Sequence, residues 1–248
     1  METFYATNLG RIRQNNEDQV GIWETPTALV LAVADGMGGH HAGEVASQIA
    51  MESVAQAVTY LPAQFNKTAA KQWLVEIFEH ANQKIYEEAL NDPSKRGMGT
   101  TLIIAIFHQN FLLVANLGDS RAYLVQENEI MQVTEDQTFV NQLVKMGQIS
   151  IEEAAHHPQR NVLLQALGTE LKIEVDLYDI DYQQVYGLLL CSDGLTDMVS
   201  DFEILAIFQH FATAQETGEE LIHFANEKGG KDNISVAIAQ GGGEHDVK

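Results

Sequence analysis

Four aspartates at the ends of short apolar segments constrain the fold and chemistry of this chain more than any other feature. They are Asp35, Asp119, Asp193 and Asp232. The first three follow the apolar segments ALVLAVA, FLLVANLG and LLLCS, and the fourth stands just before NISVAIA. If the last segment is a strand antiparallel to the others, all four carboxylates meet at one edge of the core. Glu17 and Asp18, directly before QVGIW, join them by the same logic.

Carboxylates held a few ångströms apart repel one another, so such a cluster is costly without a cation. A set of oxygen ligands without cysteine, with a backbone carbonyl at a glycine, favours hard divalent ions such as Mg²⁺ or Mn²⁺. Two such ions about 3.5–4 Å apart would bind a bridging water, lower its pKa and clamp a phosphoryl group. Arg13, shortly before the acidic residues, is suited to bidentate phosphate binding.

Each of these residues alone has an ordinary explanation, because an Asp-Gly pair usually forms a turn and a single Arg is usually solvated. The repeated placement at strand ends is what favours a metal site. Other phosphatase and phosphate-binding signatures are incomplete. Cys191 is followed six residues later by Asp197, where a cysteine-dependent phosphatase needs Arg. Asp179-Ile180-Asp181 lacks the remainder of an aspartyl-phosphate motif, and the Gly229-Gly230-Lys231 stretch lacks the Ser or Thr of a P-loop.

Charge and composition exclude several classes of partner. The 248 residues include 14 Lys and Arg against 35 Asp and Glu, a formal net charge of −21, which disfavours nucleic acid and anionic lipid as partners. The single cysteine excludes an internal disulfide framework and favours a reducing compartment. The start of the chain lacks the apolar core of a signal peptide, and no apolar run approaches a membrane span. We expect a cytoplasmic protein without membrane insertion.

Apolar strand-like segments alternate with segments of helical periodicity along the whole chain. The predicted strands are 28–34, 101–107, 111–116, 121–125, 172–178, 187–192 and 234–239. The predicted helices cover 46–57, 69–90, 138–146 and 215–227, with two more opening near 151 and 201 at Ser-x-x-Glu capping boxes. Turns at 108–110 and 126–129 predict hairpins and therefore antiparallel pairing. Together these elements predict an α+β fold with antiparallel sheets covered by helix pairs.

The ordered motifs RIRQNNED, VADGMGGHHAGE, GMGTT, NLGDSRAYLV, LLLCSDGLTD and GGKDNISVAIA resemble those of the bacterial metal-dependent type 2C serine/threonine protein phosphatases. The resemblance covers residues 8–239. It implies a four-layer αββα sandwich of two mostly antiparallel sheets, formed by a single domain over 1–248. It also implies a flap beside the active site at about 136–168, where Asp136-Gln137-Thr138 and Leu164-Gln165-Ala166 depart from the usual family sequences.

The resemblance further implies a role for each matching site residue. Asp35 would bridge two metal ions, the Gly36 carbonyl would complete the coordination of one, and Asp193 and Asp232 would hold the other. Asp119 and Asp18 would form a third, weaker metal site, and Glu17 would contribute to the second metal. Arg13 would bind the substrate phosphate, and His40 would protonate the leaving alkoxide.

The implied activity is hydrolysis of phosphoserine and phosphothreonine in proteins, by in-line attack of a hydroxide that bridges two Mn²⁺ or Mg²⁺ ions. The expected partners are phosphorylated proteins, including a serine/threonine kinase and its substrates, whose signalling the enzyme would reverse. Two alternatives stay open: a catalytically silent module that keeps the fold for regulation, and a metal-dependent phosphohydrolase of small phosphate esters.

Overall fold

The computed structural model describes residues 1–39, 41–62, 66–108, 111–181 and 186–241. None of the helices formed by these residues combines the length and the apolar composition needed to cross a bilayer.

Two antiparallel sheets form the centre of the molecule. One sheet has the strand order β1-β11-β10-β7-β8, and the other has the order β2-β3-β5-β6-β9 with β4 paired to β3. The strands are β1 (Glu2–Asn8), β2 (Asp18–Glu24), β3 (Ala28–Met37), β4 (Gly99–Thr100), β5 (Leu102–His108), β6 (Phe111–Leu117), β7 (Arg121–Val125), β8 (Ile130–Gln132), β9 (Asp176–Ile180), β10 (Gly187–Cys191) and β11 (Ile234–Gln240).

The helices begin close to the residues that the sequence indicates. They are α1 (Ala42–Thr59), α2 (Lys67–Asn91), α3 (Phe139–Lys145), α4 (Ile151–Ala155), α5 (Asp193–Thr196), α6 (Asp201–His210) and α7 (Ala214–Glu227), with a 3₁₀ turn at Pro93–Lys95. At α4 the predicted capping box is confirmed, since Ser150 Oγ accepts the Glu153 N–H and the Glu153 carboxylate accepts the Ser150 N–H. At α6 the N–H of Ser200 donates to the Glu203 carboxylate.

Alternation along the strands builds three apolar layers, as β3 illustrates. Val30 and Ala32 face one way and pack in the cluster that includes α1 and α2. Leu31 and Val33 face the other way and pack between the two sheets. A third cluster joins the other sheet to α6 and α7. The predicted α+β sandwich, with sheets face to face and helices outside, is therefore confirmed.

Three details differ from the sequence-based expectation. The strands β1, β4 and β8 and the helix α5 were not predicted. The predicted strand over 172–178 is wrong in its bounds, because β9 begins only at Asp176. Before it, the N–H and carbonyl of Glu174 bond to the side-chain amide of Gln165 instead of a neighbouring strand. Asp35 does not follow its strand but lies within β3, which continues to Met37 because Gly36 and Met37 pair with β4.

Candidate active site

Strand register places two acidic side chains between the sheets at one end of the sandwich. Asp18, the first residue of β2, lies directly opposite Asp35 in the antiparallel β2–β3 pair. Because side chains alternate along a strand, Asp35 shares the β3 face of Leu31 and Val33, which points toward the other sheet. Directly opposed residues have their Cβ atoms about 4.5–5.5 Å apart, so the two carboxyl groups are close neighbours.

The other sheet brings two more acidic residues to the same end. Asp193 begins α5 immediately after β10, and Asp232 lies two residues before β11. β10 and β11 are antiparallel, so the end of one strand and the start of the other lie at the same edge. Asp119 lies in the connection from β6 to β7, where the chain passes from one sheet to the other.

The ionisation of these carboxyl groups shows that they form one cluster. Burial raises the pKa of Asp35 well above its ordinary value, and the charges of Asp18, Asp193, Asp119 and Asp232 raise it further. Burial also raises the pKa of Asp193, followed by the charge of Asp119. Carboxylates perturb one another in this way only at short range. Residues from five separate parts of the chain therefore share one acidic site.

Asp18 and Asp119 have the clearest individual pKa shifts. Burial raises the pKa of Asp18 to about 6, although hydrogen bonds from Ser235 and Ser192 lower it. The Ser192 hydroxyl donates to Asp18 Oδ2 at 2.8 Å. Burial likewise raises the pKa of Asp119 to about 6, and the charge of Asp136 adds to the effect. Both groups would ionise more readily beside a cation.

The donor set fits a hard divalent cation. Asp18 Oδ1 is buried and has no hydrogen-bond partner among the residues that the structure describes. An orphaned carboxylate oxygen among mutually repelling carboxylates is stabilised by a cation that takes oxygen ligands. Within the described ranges, however, no three His, Cys, Asp or Glu side chains already have the arrangement of a metal-ligand set. The assignment of individual ligands therefore stays a prediction.

Gly36 lies where the backbone of three segments meets. Its N–H donates to the carbonyl oxygen of Glu17 at 3.1 Å, and the Ser47 hydroxyl of α1 donates to the same oxygen at 2.5 Å. A Cβ on Gly36 would collide with the carbonyl oxygen of Gly43, so only glycine fits this position. Burial raises the pKa of the Glu17 carboxyl, whereas the charge of Arg13 lowers it.

Arg13 reaches into the acidic cluster from the loop between β1 and β2. Its Nη2 lies 2.7 Å from Asp232 Oδ2, and about half of the side chain is exposed. The hydrogen bond to Asp232 raises the pKa of Arg13, and the charges of Glu17 and Asp35 raise it further against the opposing effect of burial. The structure thus brings the predicted phosphate-binding cation together with the predicted metal ligands.

Asn233 fastens the Arg13 loop to Asp232, a role that sequence reasoning missed. Its Oδ1 accepts the Glu17 N–H at 2.8 Å, and its Nδ2 donates to the carbonyl oxygens of Leu9 and Asn15, each at 3.0 Å. The side chain is buried, so both ends of the loop are held by one amide. The only sequence signal was its position directly after Asp232.

The predicted proton donor, His40, lies outside the described residues. The adjacent His41 is exposed, and its Nδ1 lies 3.4 Å from Glu44 Oε2. No role was predicted for His41.

A cavity of about 750 Å³ lies beside the acidic cluster, between the flap segment and α5. Asp119 and Asp193 line its inner end. Val140 and Ile151, from the flap helices α3 and α4, contribute apolar surface, and Lys231 contributes positive charge. Arg121 also faces this cavity, and three contacts of 2.6–3.1 Å join its guanidinium to the carboxylate of Asp136 at the start of the flap.

The residues Cys191 and Asp179 of the competing signatures lie in surroundings that do not suit those signatures. Cys191 is buried in β10, and burial raises its pKa to about 12, so its thiol stays protonated at neutral pH. Asp179 lies within β9, rather than after its strand as the sequence indicated, and forms ion pairs with Lys67 and Lys71.

The chain is similar to known proteins along nearly its whole length. The family model for protein phosphatase 2C matches residues 11–234 of this chain. The serine/threonine phosphatase stp of Listeria monocytogenes is 41% identical over 241 residues, which cover 97% of this chain and 96% of that protein. The protein phosphatase PhpP of Streptococcus pneumoniae is 38% identical over 240 residues, 96% of each chain.

A solved structure has the same fold. The crystal structure of the serine/threonine phosphatase Stp1 from Staphylococcus aureus superposes with a TM-score of 0.92 at 36% sequence identity. The match covers 98% of this chain and 96% of the Staphylococcus protein.

Proposed function

The chain belongs to the protein phosphatase 2C family, and from this premise we propose that its acidic cluster is the site at which phosphoserine and phosphothreonine are hydrolysed. The chain is a serine/threonine protein phosphatase, a hydrolase that acts on phosphoproteins, in a family that depends on metal ions. The observation that carries the assignment of the site is the strand pairing, which places Asp35 directly opposite Asp18 at the end of the sandwich where Asp193 and Asp232 also lie.

The metal ions we propose are two Mn²⁺ or Mg²⁺, with a third, weaker site. Asp35 would bridge the first two, the carbonyl of Gly36 would complete one, and Asp193 and Asp232 would hold the other. Asp119 and Asp18 would form the third site, and Glu17 would contribute to the second. The bound ions supply a lowered pKa for attacking water and neutralise charge on the phosphoryl group. Asp18 Oδ1, which has no hydrogen-bond partner in the described part of the chain, supports this set.

Arg13 would hold the substrate phosphate. One of its nitrogens, Nη2, contacts Asp232, and the exposed half of the planar guanidinium offers further N–H donors for phosphate oxygens. Asn233 keeps the Arg13 loop in position, so the guanidinium approaches the phosphate with little freedom to lose. His40 would protonate the leaving alkoxide.

The biological setting is proposed on the same basis. The substrates would include a serine/threonine kinase and its targets, so that the enzyme reverses the action of the kinase. A cytoplasmic location is supported by the single cysteine, whose thiol is buried. We also propose that residues 1–248 act as one catalytic unit, in which the flap segment at 136–168 borders the substrate cavity.

Phosphate release from a phosphothreonine peptide and from a small phosphate ester, each with and without Mn²⁺, tests this function. Mn²⁺-dependent turnover of the peptide is the expected result. Turnover of the ester alone would instead identify a small-molecule phosphohydrolase. No turnover of either substrate would identify a catalytically silent module.

A further inference from the structure

Arg11 and Lys231 are two exposed cations beside the acidic cluster that form no ion pair with any residue in the described ranges. Arg11 lies in the loop between β1 and β2, and Lys231 stands directly before Asp232. Arg13, by contrast, already has Asp232 as its partner. Within the part of the chain that the structure describes, the charges of Arg11 and Lys231 are therefore available to an anion from outside the protein.

Backbone contacts hold the segments that carry these two cations against each other. The N–H of Arg11 donates to the carbonyl of Gly230 at 2.7 Å. Gly230 has a φ of +49°, and a Cβ there would lie 3.2 Å from Arg11 Cγ, so the Arg11 stem runs along the residue before Lys231. Asn8 Oδ1 accepts the Gly10 N–H at 2.9 Å, which fixes the peptide before Arg11. Arg11 and Lys231, together called the basic pair, thus lie on adjoining stretches of backbone.

The basic pair lies beside the position at which the substrate phosphate would bind. Lys231 lines the cavity together with Asp193 and Met198. Consecutive Cα atoms are about 3.8 Å apart, so Lys231 is immediately next to Asp232, whose carboxylate contacts Arg13. An extended peptide advances by about 3.3 Å per residue, and a lysine has a flexible four-carbon stem. Side chains on either side of a bound phosphothreonine therefore come within reach of the basic pair.

The formal net charge of −21 does not prevent anion binding at this place. At physiological ionic strength, exposed charges more than about 8 Å apart are largely screened from one another, so local charges decide. Asp193 and Asp197 line the cavity with Lys231, but neither forms an ion pair with it. Asp193 is assigned to a metal ion, and the charge of a bound cation would offset its own. The charge of Lys231 is then left for a ligand.

We propose that the basic pair is a subsite for a second anionic group of the phosphopeptide. The enzyme then acts preferentially on phosphoserine and phosphothreonine that are flanked by acidic or additionally phosphorylated residues. The inference rests on the proposed function, because it takes Arg13 to hold the phosphate that is removed. A carboxylate and a second phosphate share the negative charge and the oxygen acceptors that arginine and lysine bind.

Four phosphothreonine peptides that differ only in their flanking residues test the subsite and separate the two kinds of anion. The flanks are Gln, Glu, Lys or a second phosphothreonine. Lys231→Gln, Arg11→Gln and the double variant remove positive charge and keep a polar side chain, whereas Lys231→Glu reverses the charge. Lys172→Gln is the matched control, because Lys172 is also exposed and has no ion pair with a residue that the structure describes.

The measurement is kcat/KM for each peptide at saturating Mn²⁺. We expect the wild-type protein and Lys172→Gln to prefer the Glu peptide to the Gln peptide about fivefold, the upper end for an exposed ion pair. The preference should shrink in each single variant and disappear in the double variant and at high ionic strength. In Lys231→Glu it should turn toward the Lys peptide. A preference confined to the doubly phosphorylated peptide would identify a second phosphate as the anion.

Equal kcat/KM values of the wild-type protein for the Glu, Gln and doubly phosphorylated peptides would overturn the proposal. So would an equal loss for all peptides in Lys231→Gln and Arg11→Gln, because the two cations would then act on the removed phosphate or on the metal ions. Failure of the proposed function gives a different result, since the wild-type protein would hydrolyse none of the peptides. The peptides would then stay intact, and their dissociation constants, measured by fluorescence anisotropy with the same variants, would decide whether the basic pair selects a second anion.

Discussion

Arg13 and Asp232, 219 residues apart in the sequence, form an ion pair in which Nη2 lies 2.7 Å from Oδ2. The pair joins the predicted phosphate-binding cation to a predicted metal ligand. A phosphate bound by Arg13 would therefore lie beside the acidic cluster, which is the arrangement that phosphoryl transfer to water requires.

Arg13→Ala should raise the KM for a phosphothreonine peptide and leave kcat almost unchanged. The change removes hydrogen bonds to a charged group, each worth about 1.5–3 kcal/mol, so a rise of about 10- to 100-fold is expected. Steady-state kinetics at saturating Mn²⁺ measure both constants. The KM of Arg13→Lys, which keeps the positive charge but not the planar guanidinium, should lie between the values of the wild-type protein and of Arg13→Ala. A loss confined to kcat would contradict the binding role.

Asp193→Ala should abolish turnover without unfolding the protein. Burial and the charges of its neighbours raise the pKa of Asp193, so removing it relieves repulsion in the metal-free state. We expect the thermal midpoint in chelator to stay at the wild-type value or rise. Glu219→Ala, at an exposed position on α7, is the control and should keep full activity. Near-normal rates in the Asp193 variant would refute the metal assignment.

The stability of the metal-free protein should fall as the pH rises from about 4 to 6. The folded-state pKa of Asp18 is raised from 3.8 to about 6, so in this range the folded state binds more protons than the unfolded state, and raising the pH favours unfolding. A shift of this size corresponds to about 3 kcal/mol for Asp18. Urea denaturation in chelator measures the effect, and Asp18→Asn should flatten the profile. Equal pH profiles for the two proteins would exclude Asp18 as the cause.

Asn233→Ala should destabilise the protein and weaken phosphopeptide binding together. The variant leaves the half-buried Glu17 N–H and the carbonyls of Leu9 and Asn15 without their partner, which costs about 1–3 kcal/mol. The loosened loop carries Arg13, so KM should rise. Denaturant titration measures the stability, and steady-state kinetics measure the KM. The control is Asn91→Ala, at an exposed position at the end of α2. Lost stability with an unchanged KM would show that the hydrogen bonds of Asn233 do not position Arg13.

The elements of the fold were largely predictable because their signals are local. The helical periodicity over 69–90 corresponds to α2, and the helix predicted over 138–146 corresponds to α3. The strands richest in β-branched residues were found within a few residues of their bounds. The alternation over 172–178 is real, because Ile173 and Val175 do pack against the core. The strand nevertheless begins only at Asp176, because the backbone of Glu174 bonds to the Gln165 side chain instead.

That the acidic residues meet at one edge could be predicted only on the assumption that their strands are antiparallel. The sequence placed Asp193 and Asp232 at the ends of two strands, and their meeting required those strands to be antiparallel, as β10 and β11 are. The direct opposition of Asp18 and Asp35 could not be read in this way, because register between strands depends on which faces are buried in the assembled sandwich.

By itself, then, the sequence determined which segments become strands and helices, which of their faces are apolar, and which acidic residues stand near strand ends. Only the tertiary structure decided that Arg13 pairs with Asp232, and that Asn233 fastens the Arg13 loop to the site. The reason is physical: periodicity and propensity act between neighbours along the chain, whereas these contacts are made by single polar side chains across long separations. A buried amide that clamps a loop has the same chemical identity as one in solvent, and only packing distinguishes the two.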